Sequence, residues 1–273
     1  MISSCAYLLV FHGSRDYRTQ TAAVNLKNLL FAKYQSKNIL TQQNYLGKNS
    51  FGLGPELTSK SRFRSTKVAE FPQTPLIEIA ALELAHQSLS QSLIEFAQKA
   101  NLQGFKRIKV VPLFLAPGVH VQSDIPAEIA LAMEQLDNQV TLELSPYLGK
   151  YSGIVALLSS LFAELSGKTR ILIAHGSKLP SAGEYYQNLS QQLAAEVAFW
   201  STMPKFTEQI KTNIALGSQK IAILPYFLFP GKITEAIAKE VAELQLEYSD
   251  VELILGEPLG ATPAIAELIA QEA

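Results

Sequence analysis

Apolar residues along this chain follow two patterns. Short, nearly unbroken runs end abruptly at a histidine or a Pro-Gly pair: LLVF before HGSR at 8–15, IKVVPLFLAPG at 108–118, ILIA before HGSK at 171–178 and IAILPYFLFPG at 221–231. Longer segments instead space their apolar positions by three and four, among them RTQTAAVNLKNLLFAKY, SAGEYYQNLSQQLAAEVAFW, SDIPAEIALAMEQL and TEAIAKEVAELQL. Unbroken runs predict strands buried on both faces, and the mixed spacing predicts amphipathic helices. Because strands and helices alternate along the chain, the pattern predicts parallel sheets covered by helices, an α/β fold.

The order of elements is written twice. HGSR is answered by HGSK, IKVVPLFLAPG aligns with IAILPYFLFPG residue for residue, and VTLELSPYLGKYSGIVALL matches VELILGEPLGATPAIAELI. Self-similarity at this scale predicts a duplicated unit. The reading is two doubly wound lobes related by internal duplication and facing across a cleft, residues 1–150 and 151–273. One stretch has no counterpart: LGKNSFGLGPELTSKSRFRSTKVAEFPQ at 46–73 lacks periodicity and carries Lys60, Arg62, Arg64 and Lys67. It reads as an inserted loop.

Composition narrows the class. A length of 273 residues suits one large or two medium domains, and 48% hydrophobic with 17% charged residues lies in the range of ordinary globular proteins. A net charge of −1 gives no basic field for nucleic acid. The one cysteine, Cys5, has no partner for an intrachain disulfide, which fits a reducing compartment, and a cytoplasmic location is expected. The N-terminus does not read as a secretory signal, and no run approaches the roughly 18 apolar residues of a membrane span, so a soluble, unprocessed protein is expected.

Candidate chemistry concentrates at the strand ends, where parallel α/β sheets bind ligands. Of the four histidines, His12 ends the first strand and His120 follows the Pro-Gly of the third run. If those strands are neighbours, both imidazoles reach one mouth and can hold a divalent metal or accept protons. The duplicate keeps His175 in the place of His12 but has Ile233 in the place of His120. Glu83 is the third candidate, aligned with Ser201; His86 lies three residues further on with nothing else to support it as a ligand. A lone His175 is expected to be structural.

VFHGSR, the carboxylate of ALELA, and PLFLAPGVHVQSDIP together resemble the CbiX/SirB family of class II chelatases, whose long members are fused tandem repeats. The resemblance covers nearly the whole chain. It implies insertion of a divalent metal into sirohydrochlorin, iron being favoured for sirohaem supply and cobalt being the alternative for cobalamin, without a nucleotide or a further cofactor. His12 and His120 would receive the metal and take protons from the ring, with Glu83 compensating charge. Gly13, Ser14 and Arg15, the backbone N–H groups of the following helix, and Lys178 and Lys232 on the second lobe would meet the carboxylates of the macrocycle. A monomer or weak homodimer is expected, because two fused lobes replace a dimer of single ones. Two other readings stay open from the residues. A histidine phosphatase would want a cation before the histidine, where Phe11 and Ala174 stand; a carrier of metal or tetrapyrrole would use the same ligands without inserting.

Overall fold

The computed structural model describes residues 5–49, 74–137 and 139–273, with backbone only over 41–49. Two four-stranded parallel sheets form its frame. In the first, β1 (Cys5–Phe11), β2 (Ile77–Ala81), β3 (Arg107–Pro112) and β4 (Thr141–Leu144) lie in the order β2-β1-β3-β4. In the second, β5 (Thr169–Ala174), β6 (Glu196–Phe199), β7 (Lys220–Pro225) and β8 (Glu252–Leu255) repeat that order as β6-β5-β7-β8. The α/β duplication expected from the pattern is therefore present, and the central strand of each sheet is the one that ends at His-Gly-Ser.

The unbroken apolar run of β1 follows from its surroundings. Successive side chains point to opposite faces. Tyr7, Leu9 and Phe11 face a core built with α1 (Tyr17–Asn49), whereas Ala6, Leu8 and Val10 face α2 (Leu89–Leu102) and α3 (Ile125–Gln135). At β1 the sheet leaves neither face to water, so no polar alternation is tolerated in that strand. In the second lobe α6 (Phe206–Ala215) and α7 (Lys232–Glu247) cover the outer face in the same way.

Between the sheets lies a single apolar core to which both lobes contribute. Ala23, Leu26 and Leu30 of α1 meet Ile154, Leu158 and Phe162 of α4 (Ile154–Leu165), Ala182 and Tyr186 of α5 (Pro180–Leu193), and Ile265 and Ile269 of α8 (Pro263–Glu272). The connections are exchanged. After β4 of the first sheet, α4 packs on α5 and β7 of the second; after β8 of the second sheet, α8 packs on α1 of the first. Polar contacts fix the exchange: Lys33 pairs with Glu267, Lys109 Nζ donates to the backbone oxygen of Ala273 at 2.6 Å, and Glu272 accepts from the Ser152 N–H at 2.8 Å.

Two segments differ from the sequence pattern. The helix-like spacing that runs on to Trp200 is cut: Ala194 takes a left-handed conformation (φ 46°) and ends α5, and EVAF becomes β6 on the sheet edge with Ala198 buried. Tertiary pairing with β5 overrides the local helical period there. The backbone of α1 also continues through 46–49, into the segment read as an inserted loop. Residues 50–73, with Lys60, Arg62, Arg64 and Lys67, lie outside the described residues. No helix is long and apolar enough to cross a membrane among the described residues.

One core shared by two sheets implies that the lobes unfold together. Leu158→Ala, at a fully buried position of that core, is expected to lower stability by about 2–5 kcal/mol. Denaturant unfolding followed by far-UV circular dichroism and by Trp200 fluorescence should then give coincident, single transitions. Two separate transitions would contradict a shared core.

Candidate metal centre

The site forms where three neighbouring strands end. β1 is paired with β2 on one edge and β3 on the other, and the chain crosses over it between them, so their carboxyl ends flank a topological switch point. His12 is the first residue after β1, Glu83 the second after β2, and His120 follows the loop after β3. A ligand atom from each of His12, Glu83 and His120 lies within 4.8 Å of the others. The imidazoles meet edge to face with centroids 4.7 Å apart, and Glu83 Oε2 is 3.9 Å from His12 Nε2.

Backbone geometry sets this spacing. The Glu83 N–H donates to His12 O at 2.9 Å, and the Leu82 N–H donates to Phe11 O at 2.8 Å, so β2 continues its pairing one step past the strand. Gly13 then turns away with φ 95°, and a Cβ there would stand 1.9 Å from the Glu83 carbonyl oxygen. Only glycine lets the two chains approach this closely in that conformation. Glu83 is thus a loop residue; α2 begins after Ser88, whose hydroxyl caps the helix. His86 lies exposed in the same loop, outside the trio.

His120 is carried on a single π-helical turn, His120–Asp124, that leads into α3. Its Nδ1 lies 2.7 Å from Asp124 Oδ2, and its ring packs 5.8 Å from that of Phe114. Asp124 was not singled out from the sequence; its spacing of four from His120 within VHVQSDIP is the signal that could have found it. His120 and Glu83 remain open to solvent, their side chains 30% and 49% exposed, and of the trio only His12 lines the neighbouring cleft.

That cleft, of about 670 Å³, is lined on one side by His12, Gly13, Ser14 and Arg15, and on the other by His175, Phe227, Phe229, Lys232 and Ile233. Lys178 is exposed on the loop after β5 and is not among the lining residues. The helix N-terminus read as a carboxylate site is already occupied. Ser14 Oγ accepts the Asp16 N–H at 3.0 Å, and Asp16 Oδ1 accepts the Arg18 N–H at 3.0 Å. Hydrogen bonds from the Arg18 side chain and backbone hold the Asp16 carboxyl down at about 2, so a negative charge already sits at that helix end. The cation left to this loop for an anion is Arg15.

The second lobe repeats the scaffold without the ligands. His175 O accepts the Ser201 N–H at 2.9 Å, in register with the His12–Glu83 bond, which confirms Ser201 as the counterpart of Glu83. Ile233 occupies the place of His120, and Ile237, fully buried, that of Asp124. His175 itself is not remote: it opens into the same cleft as His12. Desolvation first, then the nearby His12, depress its pKa, so it is neutral at neutral pH.

The chain is 24% identical over 228 residues to a sirohydrochlorin cobaltochelatase of Priestia megaterium, covering 77% of this chain and 72% of that one. It is also 24% identical over 215 residues to a sirohydrochlorin ferrochelatase of the same organism, covering 72% and 77%. Its fold matches SirB from Bacillus subtilis, solved with Fe3+, at a TM-score of 0.69 and 20% identity over 98% of this chain and 94% of that chain. The CbiX family model matches twice, at residues 61–165 and 169–273. Matched by two successive repeats over most of its length, the chain belongs to the CbiX family.

Proposed function

We propose that this protein is a sirohydrochlorin chelatase that inserts a divalent metal into the ring, with iron(II) as its ion and cobalt(II) as the competitor. The first lobe, residues 1–150, carries the chemistry; the second, residues 151–273, is a copy that has lost its ligands and closes the cleft. The observation that carries this reading is the meeting of two imidazoles and one carboxylate beside a cleft that His12 itself lines and whose facing wall is largely apolar. Iron and cobalt suit such ligands alike, and iron stands first because selection between such ions in cells follows availability.

Insertion requires that the ion lose water and that the inner N–H protons of the ring leave as the metal–nitrogen bonds form. His12, Glu83 and His120 supply three donors in place of water, and Glu83 also offsets the charge of the ion. As the ion passes to the ring nitrogens, the released ligands become acceptors for the protons that leave. Phe227, Phe229 and Ile233 on the facing wall present an apolar surface to the other face of the macrocycle. Arg15 and Lys232 lie at the rim, where substrate carboxylates would meet them, and Lys178 adds charge further out. The chemistry has no step that consumes a nucleotide.

Mixing the protein with sirohydrochlorin and Fe2+ or Co2+ under anaerobic conditions and without ATP tests the reading, because metallation shifts the absorbance of the ring. Turnover is the expected result. Stoichiometric binding of ring and metal with no metallation above the uncatalysed rate would make the protein a carrier instead. His12→Ala and His120→Ala are each expected to lower kcat/KM by about 100-fold or more with the melting temperature unchanged, whereas His175→Ala should keep most of the turnover. Near-normal insertion by either of the first two variants would remove the trio from the mechanism.

The asymmetry of the lobes adds a second test. Titration with Co2+ in the absence of the ring should give one tight site per chain, and that site should vanish in His12→Ala. Two equivalent sites would show that the second lobe binds metal despite Ile233 and Ser201.

A further inference from the structure

His120 has two ring nitrogens and two carboxylates within reach of one of them. Its Nδ1 is 2.7 Å from Asp124 Oδ2 and 3.8 Å from Glu83 Oε1. An ionised carboxylate only accepts, so the ring hydrogen sits on Nδ1 and is donated to Asp124, and Nε2 carries the lone pair. His12 is set the other way round toward Glu83: its Nδ1 reaches the Gly13 carbonyl at 3.1 Å and its Nε2 is the nitrogen that faces Glu83, whereas in His120 the nitrogen nearer Glu83 is the Nδ1 that Asp124 holds.

The Asp124 carboxylate does no capping work for the helix it precedes, since it makes no hydrogen bond to the first turn of α3. The turn that joins it to His120 is π-helical, with the Ile125 N–H reaching His120 O. Such turns are rare and gather at functional sites. In the duplicate, α7 starts as an ordinary α-helix at Lys232, with Ile233 and Ile237 in register with His120 and Asp124. The imidazole, its carboxylate and the wide turn are therefore missing together from the lobe that lacks a metal trio. A role in folding the unit would have served both lobes alike.

We propose that Asp124 is a positioning residue that selects which atoms of the trio face the metal. By holding Nδ1–H it makes Nε2 the donor of His120, and it keeps Glu83 from closing on that hydrogen. Without Asp124 the nearest acceptor is Glu83 Oε1, and a modest rotation would turn the 3.8 Å separation into a charge-assisted hydrogen bond. Glu83 would then be spent on His120 and lost as a ligand. This inference rests on the metal-handling role of the trio given above.

The test is a Co2+ titration of the full-length protein without tetrapyrrole, followed by the visible absorption of the bound ion, alongside steady-state insertion. Asp124→Ala should weaken Co2+ binding by about 10- to 100-fold and raise KM for the metal alone, leaving KM for sirohydrochlorin and the melting temperature unchanged. Asp124→Asn retains an oxygen that accepts Nδ1–H and should stay within about threefold of the unsubstituted protein. Combining Asp124→Ala with Glu83→Gln should cost less than the two single effects together, because Asp124 acts through Glu83. Unchanged Co2+ affinity in Asp124→Ala, an Asn variant as weak as the Ala variant, or strict additivity with Glu83→Gln would each overturn the inference. So would a lowered melting temperature with both KM values raised, the mark of a merely structural role. Because the titration contains no ring, unsubstituted protein that binds Co2+ but fails to metallate sirohydrochlorin would refute the chelatase reading while the same variants still decide the role of Asp124.

Discussion

β1 is paired along both edges, with β2 and β3, and buried on both faces, so from Ala6 to Phe11 every residue is buried. A strand held in this way has one place to present a functional group, the point where pairing stops. His12 stands there. Because parallel partners end at the same level, the residues that follow β2 and β3 arrive at the same rim, and the trio is a consequence of sheet order. The remaining requirement is close approach, met by Gly13 turning against the Glu83 carbonyl. A larger residue would push the β2 loop away and open the spacing between His12 and Glu83.

The duplicate shows that scaffold and chemistry are separable. Gly176 turns with φ 94°, Ser201 donates to His175 O, and Tyr226 continues the pairing of β7 as Leu113 does that of β3. With the backbone at these strand ends kept, the side chains around them differ: Ser201 for Glu83, Ile233 for His120 and Ile237 for Asp124. The two isoleucines need no polar partner, and the Ser201 hydroxyl donates its hydrogen to the His175 carbonyl at 2.6 Å. The buried Ile237 joins the outer core, so the place that Asp124 holds in the first lobe is given to packing in the second. One wall of the cleft carries His12 and Arg15, and the facing wall is apolar apart from His175, Lys232 and Thr234.

Much of this was legible in the residues. The apolar runs gave the strands because both faces of each sheet are covered, and the repeated motifs gave the duplication and the pairing of His12 with His120. Glu83 could be named but not placed, since ALELA fits a helix as well as a strand end, and only pairing with β1 decides. EVAF was hidden for the same reason: its spacing continues that of α5, and β5 makes it a strand. Asp124 was overlooked because its meaning depends on a π-helical turn, which periodicity does not report. The exchange of α4 and α8 had no signal at all. An amphipathic pattern says that a helix has a partner, not which sheet supplies it.

That exchange explains why a lobe without ligands persists in the fold. The helix that follows the second sheet, α8, covers α1, and the helix that follows the first sheet, α4, covers β7 in return, so neither sheet has a complete inner face alone. The contact extends to the site. The hydroxyls of Tyr185 and Tyr226 lie 2.6 Å apart and reach the carbonyls of Gly149 and Leu115 at 3.0 and 3.1 Å. Leu115 belongs to the loop between β3 and His120, and Gly149 is so close that a Cβ there would lie 1.9 Å from the Leu115 oxygen. The Leu115 carbonyl, bonded by the Tyr226 hydroxyl and packed against Gly149, has little freedom, because losing that partner would cost on the order of 1–3 kcal/mol. The loop that delivers His120 is thereby anchored on the second lobe, five residues before the imidazole itself. Loss of the ligands from the second lobe leaves this anchor intact, since it depends on Tyr226 and on the shared core and on none of the positions that changed.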